Sequence, residues 1–228
     1  MKRFAIIVAG GSGQRMGGDL PKQFMLLNGK PILFHTLSAF QKAIPDINLI
    51  LVLPQNEIET WTQLCKSYQM VFSTQIVAGG NTRFQSVDNG LKLVPNEEGV
   101  LIAIHDGVRP LVSATLIQKC FSAVTLDIGV VPITKLKESI VNANNLQMVD
   151  RENLRSVQTP QIFPAKKLKD AYEFCSILDP LGNGFTDDSS VFSKSGYKIN
   201  SVAGEYSNIK ITTADDIIIA SALLDSIQ

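Results

Sequence analysis

The chain has 228 residues, of which 45% are hydrophobic and 18% charged, as expected of a globular protein that can bury a substantial core. Its 21 lysines and arginines balance its 21 aspartates and glutamates, which argues against binding nucleic acid or an acidic membrane through a broad basic surface. Any anion must therefore be held by cations placed locally.

The cysteines and the apolar runs indicate in which cellular compartment the protein is found. Cys65, Cys120 and Cys175 form no Cys-x-x-Cys pair, which favours reduced thiols over a disulfide framework or a zinc site. No apolar run reaches membrane-spanning length, and no cleavage pattern follows the first residues. We therefore expect a cytoplasmic protein.

The first apolar run, Arg3–Val8, predicts a short buried strand. A glycine-rich stretch follows it, VAGGSGQRMGGDLPKQF over residues 8–24. Glycines let backbone N–H groups approach an anion, while Arg15 and Lys22 can hold phosphate oxygens from two sides. The stretch has neither the Gly-Lys-Ser/Thr of a Walker loop nor the spacing of a dinucleotide fingerprint. It predicts a nucleotide-phosphate site at the end of the first strand.

Strand and helix patterns then alternate along the chain. A short strand with an Asn-Gly turn is predicted over 24–30, and apolar runs predict buried strands over 48–53, 75–77, 100–105 and 128–132. Helices are predicted over 32–42, 57–68, 84–94 and 114–124. This alternation predicts an α/β fold with a doubly wound, mostly parallel sheet, in which ligands collect at the carboxyl ends of the strands.

The alternation breaks at residues 133–157, where two strand-like pieces, 138–141 and 146–150, flank an asparagine-rich turn. They predict a β-hairpin arm protruding from a single domain that spans residues 1–228. The pattern fits an arm against a second subunit and an exposed hairpin on a monomer equally well. Beyond the arm we expect a helix over 165–174, a helix capped by Thr186, strands over 197–202 and 208–211, and a last helix from residue 213.

Six cations are candidates for binding phosphate. Lys210 lies in the apolar NIKI run, where a cation is costly unless it meets an anion, and Arg109 follows Asp106 in a loop at a strand end. Arg83 and Arg151 have little support from position alone. The full set is Arg15, Lys22, Arg83, Arg109, Arg151 and Lys210.

The remaining polar residues indicate the type of chemistry. No Ser-His-Asp arrangement and no metal-ligand spacing is present, and we interpret His35 and His105 as structural. Cations, backbone N–H groups and one or two acids suit phosphoryl or nucleotidyl transfer, which needs no protein nucleophile. Magnesium would then arrive with the nucleotide phosphates, and Asp106 is the best acid to steer it.

The chain resembles the 2-C-methyl-D-erythritol 4-phosphate cytidylyltransferases of the non-mevalonate isoprenoid pathway over nearly its whole length. Seven strings carry the resemblance, in the family's order: AGGSGQRMGGDLPKQF, GGNTRFQSV, HDGVRP, VDR, QTPQIF, FTDDSSVF and NIKITT. The resemblance implies a glycosyltransferase A-like nucleotidyltransferase fold, an arm that interlocks two subunits, and transfer of CTP's cytidylyl group to a polyol phosphate with release of pyrophosphate and magnesium present.

The resemblance also implies a role for individual residues. The family's cations that neutralise the CTP phosphates and the transition state correspond to Arg15, Lys22 and Lys210. The matches to the nucleotide contacts are Ala9, Gly10, Gly11, Gly13, Gly80, Asn81, Ser86 and Asp106. The matches around the polyol phosphate are Asp106, Arg109, Thr159, Thr186 and, delivered by the arm into the neighbouring subunit, Arg151.

Two positions depart from the family. Asn81 stands where the family often has an acid, and Leu136 stands where the arm often has a threonine, with Thr134 two residues earlier. Ribitol-5-phosphate cytidylyltransferases resemble this chain through the same nucleotide half and through residues 204–210, but TDDSSV fits the erythritol family better. A non-catalytic nucleotide-binding protein is a third possibility, and the joint presence of Arg15, Lys22 and Lys210 argues against it.

Overall fold

The computed structural model describes residues 1–10 and 20–227. The predicted site residues Gly11, Gly13 and Arg15 lie outside these residues. The strands are β1 Arg3–Val8, β2 Leu26–Leu27, β3 Lys30–Pro31, β4 Asn48–Leu53, β5 Thr74–Ala78, β6 Leu101–Asp106, β7 Ile128–Lys135, β8 Ile140–Val141, β9 Met148–Val149, β10 Arg155–Val157, β11 Gln161–Pro164 and β12 Lys198–Ala203. The helices are α1 Ile32–Ala43, α2 Ile58–Ser67, α3 Arg83–Leu91, α4 Ala114–Ala123, α5 Ala165–Leu178, α6 Asp188–Lys194 and α7 Ala214–Ile227.

A mixed, mostly parallel sheet forms the centre of the molecule. Its neighbouring strands run in the order β5, β4, β1, β6, β11 and β7, and β7 also pairs with β12 and β10. β1, β4, β5 and β6 are mutually parallel, as is the β7–β12 pair, while β10 and β11 run antiparallel to their neighbours. The predicted α/β fold is confirmed.

Helices cover both faces of this sheet because its central strands are apolar on both sides. In β1, Ala5 and Ile7 pack into the core under α1, α2 and α4, whereas Phe4 and Ile6 pack into the core under α3, α5 and α6. Successive side chains of a strand point to opposite faces, so a continuous apolar run supplies both cores. No helix in the described part of the chain is long and apolar enough to cross a membrane.

The structure corrects three of the predicted elements. β11 was not expected, and it lies between β6 and β7 in the sheet. Residues 208–211 form no strand, so Lys210 lies in an irregular segment. The cap of α6 is Asp187 and not Thr186, because the Asp187 side chain accepts a hydrogen bond from the Ser190 N–H.

The β-hairpin arm is present as β8 and β9, which pair antiparallel around the turn at 142–147. Every residue from 141 to 157 is exposed, including the apolar side chains of Leu146 and Met148, which are 74% and 68% exposed. The arm is therefore held to the sheet at its base, where β10 pairs with the end of β7.

The parallel strands bring their carboxyl ends to one edge of the sheet. Val8 at the end of β1 pairs with Asp106 at the end of β6, and Leu53 pairs with Ala78 at the ends of β4 and β5. The loops that follow β1, β5 and β6 consequently lie next to one another.

Candidate active site

The turn between β5 and α3 is shaped by the first turn of the helix. A Cβ on Gly80 would lie 2.4 Å from the Cβ of Gln85, so a side chain at this position would displace the helix. The Gly80 N–H donates to Ser86 Oγ (3.1 Å), and the Asn81 N–H donates to Gln85 Oε1 (3.0 Å). These bonds hold the turn, and its backbone stands close to the end of β1.

The first cavity lies between this turn, the end of β1 and Lys22 and Gln23 near the end of the glycine-rich stretch. It measures about 200 Å³. Its wall includes each predicted nucleotide or catalytic residue that the structure describes: Ala9, Gly10, Lys22, Gly80, Asn81, Ser86, Asp106 and Lys210.

A second cavity of about 240 Å³ lies on the other side of Asp106. Its wall includes four of the predicted substrate residues: Asp106, Arg109, Thr159 and Thr186. The two cavities share three residues, Arg83, Asp106 and Lys210, which form the wall between them.

Asp106 is the centre of this shared wall and lies among three cations. Its Oδ2 is 3.0 Å from Lys210 Nζ and 3.4 Å from Arg109 Nε, and its Oδ1 is 3.6 Å from Arg83 Nε. Burial alone would raise the pKa of Asp106, but Arg83, Lys210 and Arg109 hold it well below its usual range. One carboxylate thus contacts three cations, of which Arg83 is also paired with Asp188, and these five side chains keep one net positive charge for an anionic ligand.

His105 supports the wall from beneath and is completely buried. Thr159 Oγ1 accepts the Asp106 N–H (3.1 Å) and lies 3.0 Å from His105 Nδ1. Nε2 faces the Arg109 carbonyl at 3.3 Å and carries the ring proton, because a carbonyl can only accept. In the neutral ring Nδ1 then accepts from the Thr159 hydroxyl. Burial lowers the pKa of His105 to about 3, so it is neutral and structural, as interpreted from the sequence.

Lys210 is positioned by residues 204–209, which we call the strap. The Gln158 side chain binds the strap at Glu205, accepting from its N–H (3.2 Å) and donating to its carbonyl (2.8 Å). Asn208 Nδ2 donates to the Thr159 carbonyl (2.8 Å), and Arg109 Nη1 donates to the Asn208 carbonyl (2.8 Å). Side chains from the neighbouring loops thus replace the strand pairing that was expected here.

Arg151 is the one described site prediction that the structure does not bring to either cavity. It lies in the exposed arm, where its guanidinium donates to the Lys137 carbonyl. Sequence reasoning underrated Arg83 and did not single out Gln161 and Asp187, which line the second cavity. Arg83 follows the helix cap Thr82, directly after the glycine turn. This place in the sequence is the signal that could have identified Arg83 as a site residue.

The described residues contain no group of three or more His, Cys, Asp or Glu side chains arranged to hold a metal ion. Asp106 is the acid at the shared wall, and its oxygens already face cations. A divalent cation would therefore be repelled here unless an anionic ligand, such as a triphosphate, brought its own compensating charge.

The mostly parallel α/β sheet, with two cation-lined cavities at the carboxyl ends of its strands, is that of a nucleotidyltransferase. The family model for 2-C-methyl-D-erythritol 4-phosphate cytidylyltransferase matches residues 4–226, and the chain belongs to that family.

Similar proteins cover the chain almost completely. The 2-C-methyl-D-erythritol 4-phosphate cytidylyltransferase of Porphyromonas gingivalis is 46% identical over 228 residues, which is 99% of both chains. That of Bacteroides fragilis is 44% identical over 226 residues, covering 98% of this chain and 100% of the relative.

Solved structures of this family have the same fold over nearly the whole chain. The 4-diphosphocytidyl-2C-methyl-D-erythritol synthase of Anaerococcus prevotii superposes with a TM-score of 0.80 at 32% identity and covers 98% of both chains. The 2-C-methyl-D-erythritol 4-phosphate cytidylyltransferase of Thermus thermophilus reaches a TM-score of 0.81 at 27% identity, covering 99% of this chain and all of the other.

Proposed function

We propose that the chain carries out its family's reaction at the wall shared by the two cavities. In this reaction CTP and 2-C-methyl-D-erythritol 4-phosphate give 4-diphosphocytidyl-2-C-methylerythritol and pyrophosphate, a step of isoprenoid precursor biosynthesis. The observation that carries the proposal is that Arg83, Asp106 and Lys210 border both cavities. Transfer between two substrates requires adjacent sites whose reacting atoms meet, and such a wall provides this.

The first cavity would take CTP. The cytosine would contact the small residues and backbone groups at Ala9, Gly10, Gly80, Asn81 and Ser86. Lys22 and Lys210 border the same cavity and would neutralise the triphosphate, together with Arg15. Gly11 and Gly13 would add backbone donors of the glycine-rich stretch.

The second cavity would take the polyol phosphate. Arg109 and Thr186 border it and would bind the phosphate and the polyol, and Thr159 would contribute through its backbone and its fixed hydroxyl. Arg109 is 12% exposed in its side chain, so its charge is little screened by water.

The chemistry is an in-line displacement. A phosphate oxygen of the polyol phosphate forms a bond to the α-phosphorus of CTP, and the α–β P–O bond breaks with its electron pair leaving on pyrophosphate. Negative charge builds up on the equatorial oxygens of the α-phosphate, and Lys210 and Lys22 stabilise it. No protein nucleophile or general base is required, because the attacking phosphate oxygen is already ionised.

Magnesium would enter with CTP, held mainly by the triphosphate oxygens and water, with Asp106 as the protein acid that steers it. When bound, it would neutralise charge on the departing pyrophosphate. The three cations around Asp106 fit this arrangement, since they disfavour a metal in the absence of the triphosphate.

We further propose that the arm, residues 133–157, makes the protein a homodimer in the cytoplasm and delivers Arg151 into the second cavity of the partner. The exposed Leu146 and Met148 support this, because apolar side chains at the tip of an isolated hairpin gain stability when a second surface covers them. The thiols of the described chain, all free, suit a reducing compartment.

The test is turnover with competing acceptors. Purified protein with CTP and magnesium should release pyrophosphate faster with 2-C-methyl-D-erythritol 4-phosphate than with ribitol 5-phosphate. Preference for ribitol 5-phosphate would reassign the substrate, and absence of turnover with both would favour a nucleotide-binding protein without catalysis.

A further inference from the structure

Three side chains, the inner two of them buried, run from the shared wall into the protein interior. The guanidinium of Arg83 lies 2.6 Å from Asp188 Oδ2 through Nη2, and Nε faces Asp106 on the other side. The other oxygen of Asp188 accepts a 2.7 Å hydrogen bond from the Tyr172 hydroxyl. We call Arg83, Asp188 and Tyr172 the relay.

The inner two members of the relay do not line either cavity. Asp188 is completely buried and Tyr172 is 2% exposed, so neither can touch a ligand in the cavities. An ionised carboxylate is costly to bury unless it is paired and hydrogen-bonded, and here both of its oxygens are satisfied. Burial would lower the pKa of Arg83, but Asp188 and Asp106 raise it, so the arginine stays charged.

The relay connects elements that build different cavities. Arg83 is the first residue of α3, which holds the glycine turn of the first cavity, and Asp188 is the first residue of α6. Thr186 and Asp187, directly before Asp188, are part of the wall of the second cavity. A planar guanidinium can bind two carboxylates in fixed directions, which the point charge of lysine cannot do.

We propose that Asp188 and Tyr172 are positioning residues that act through Arg83 to hold the second cavity in register with the first. With Asp188 in place, the Arg83 guanidinium forms ion pairs with two carboxylates, Asp106 and Asp188. Without it Arg83 turns entirely to Asp106, draws that carboxylate away from Lys210, and releases the loop at 186–187. This inference rests on the proposed transfer reaction, because it concerns how the two substrates are aligned.

The test compares Asp188→Asn, which keeps the shape and removes the charge, with Cys175→Ala. Cys175 is equally buried, follows Tyr172 by one turn of α5 and contacts α6 through Val191, but lies outside the relay. We expect Asp188→Asn to lower kcat/KM for the polyol phosphate at least about tenfold while the Kd for CTP changes less than about threefold. Cys175→Ala should lower the melting temperature and keep kcat/KM within about twofold.

A double-mutant cycle identifies Arg83 as the intermediary. If Asp188 acts through Arg83, Arg83→Lys combined with Asp188→Asn should be no worse than the more damaging single variant. Multiplicative losses, or a loss in Asp188→Asn no larger than that of Cys175→Ala, would overturn the proposal. Should Asp188→Asn not fold, Tyr172→Phe provides the test. We expect this variant to lower kcat/KM for the polyol phosphate by about two- to fivefold. An unchanged kcat/KM in Tyr172→Phe would reject the relay. Wild-type turnover measured in parallel separates this result from failure of the proposed function itself.

Discussion

At the scale of single residues, Lys210 is the cation whose surroundings best suit charge that develops during a reaction. It borders both cavities, and its Nζ lies 3.0 Å from Asp106. With its side chain 41% exposed, it can turn from Asp106 to a phosphate oxygen without crossing the protein interior. Lys210→Ala should therefore lower kcat by about 100-fold or more, the usual loss for one transition-state donor, while the Kd for CTP changes less than about tenfold.

Steady-state kinetics and calorimetric titration of CTP measure these two quantities separately. Lys66→Ala is a suitable control, because Lys66 is an exposed lysine on α2, a helix that borders neither cavity. Near-normal kcat in Lys210→Ala, or a loss of CTP affinity as large as the loss in kcat, would contradict the proposed role.

His105 makes a second prediction at this scale, which concerns stability and not catalysis. Histidine in an unfolded chain takes up a proton near pH 6.5, whereas burial lowers the pKa of His105 to about 3. Between these values the unfolded state binds the extra proton. The free energy of unfolding is therefore expected to fall by about 1.4 kcal/mol per pH unit as the pH decreases, from this residue alone.

Urea unfolding between about pH 6 and pH 5 measures this slope while most glutamates and aspartates of the unfolded chain are still ionised. His105→Gln should lose most of it. His35 also has a lowered pKa, through partial burial, so His35→Gln should remove a smaller part. An unchanged slope in His105→Gln would show that another group carries the pH dependence.

Residue patterns predicted the first cavity better than the second. A strand end is a local signal, and it identified Asp106, whereas Gly80 and Ser86 were assigned through the family resemblance. Arg83 needs Asp188, which is 105 positions away in the chain, to become a fixed member of the wall. No local pattern reports such a partner, and this is why its position alone gave little support.

At the scale of elements, the strap explains why the NIKI run was mistaken for a strand. Ile209 and Ile211 do pack against the apolar cluster under α7, so the alternation of apolar residues is real. The backbone has no neighbouring strand to pair with, and Gln158 and Asn208 hold it with their side chains. Apolar alternation records burial on one side and does not record which groups satisfy the backbone.

Asn208 should accordingly affect both stability and catalysis. It is completely buried, and its loss leaves the Thr159 carbonyl without the amide that binds it. Asn208→Ala is expected to lower the free energy of unfolding by about 1–3 kcal/mol. It should also lower kcat, since Lys210 follows Asn208 by two residues, directly after the strap.

Chemical denaturation and initial rates measure the two effects. Ser207→Ala is the matched control, because Ser207 is the preceding residue and its side chain makes no hydrogen bond among the residues that the structure describes. Loss of stability in Asn208→Ala with kcat preserved would mean that the strap does not position Lys210.

At the scale of the whole molecule, the α/β fold was predictable because its central parallel strands, β1, β4 and β6, are nearly continuous apolar runs separated by helices. β11 was not, since it has four residues, ends in Pro164 and follows no helix. Its place between β6 and β7 comes from long-range packing, in which Ile162 and Phe163 contribute to the cores on opposite faces of the sheet. Short antiparallel strands of this kind carry too few residues for a pattern to locate them.

The arm raises the question of whether each active site is built from one chain or two. Within its own chain Arg151 contacts the Lys137 carbonyl and lies at neither cavity, whereas Lys22 borders the first cavity. If the arm enters the partner's site, a mixed dimer of Arg151→Ala and Lys22→Ala chains contains one site with both residues intact. Random mixing makes half of the dimers mixed, so two inactive preparations should recover about a quarter of wild-type activity.

Refolding the two variants together and separating the dimers by an affinity tag on one chain provides the measurement. A mixture of Lys22→Ala with Lys210→Ala is the control, because both residues border the same cavity of one chain and the mixed dimer then has one altered residue in each site. Recovery in the first mixture and none in the control would assign Arg151 to the partner's site. Purified mixed dimers without activity would instead place Arg151 in the site of its own chain, and the arm would then serve association alone.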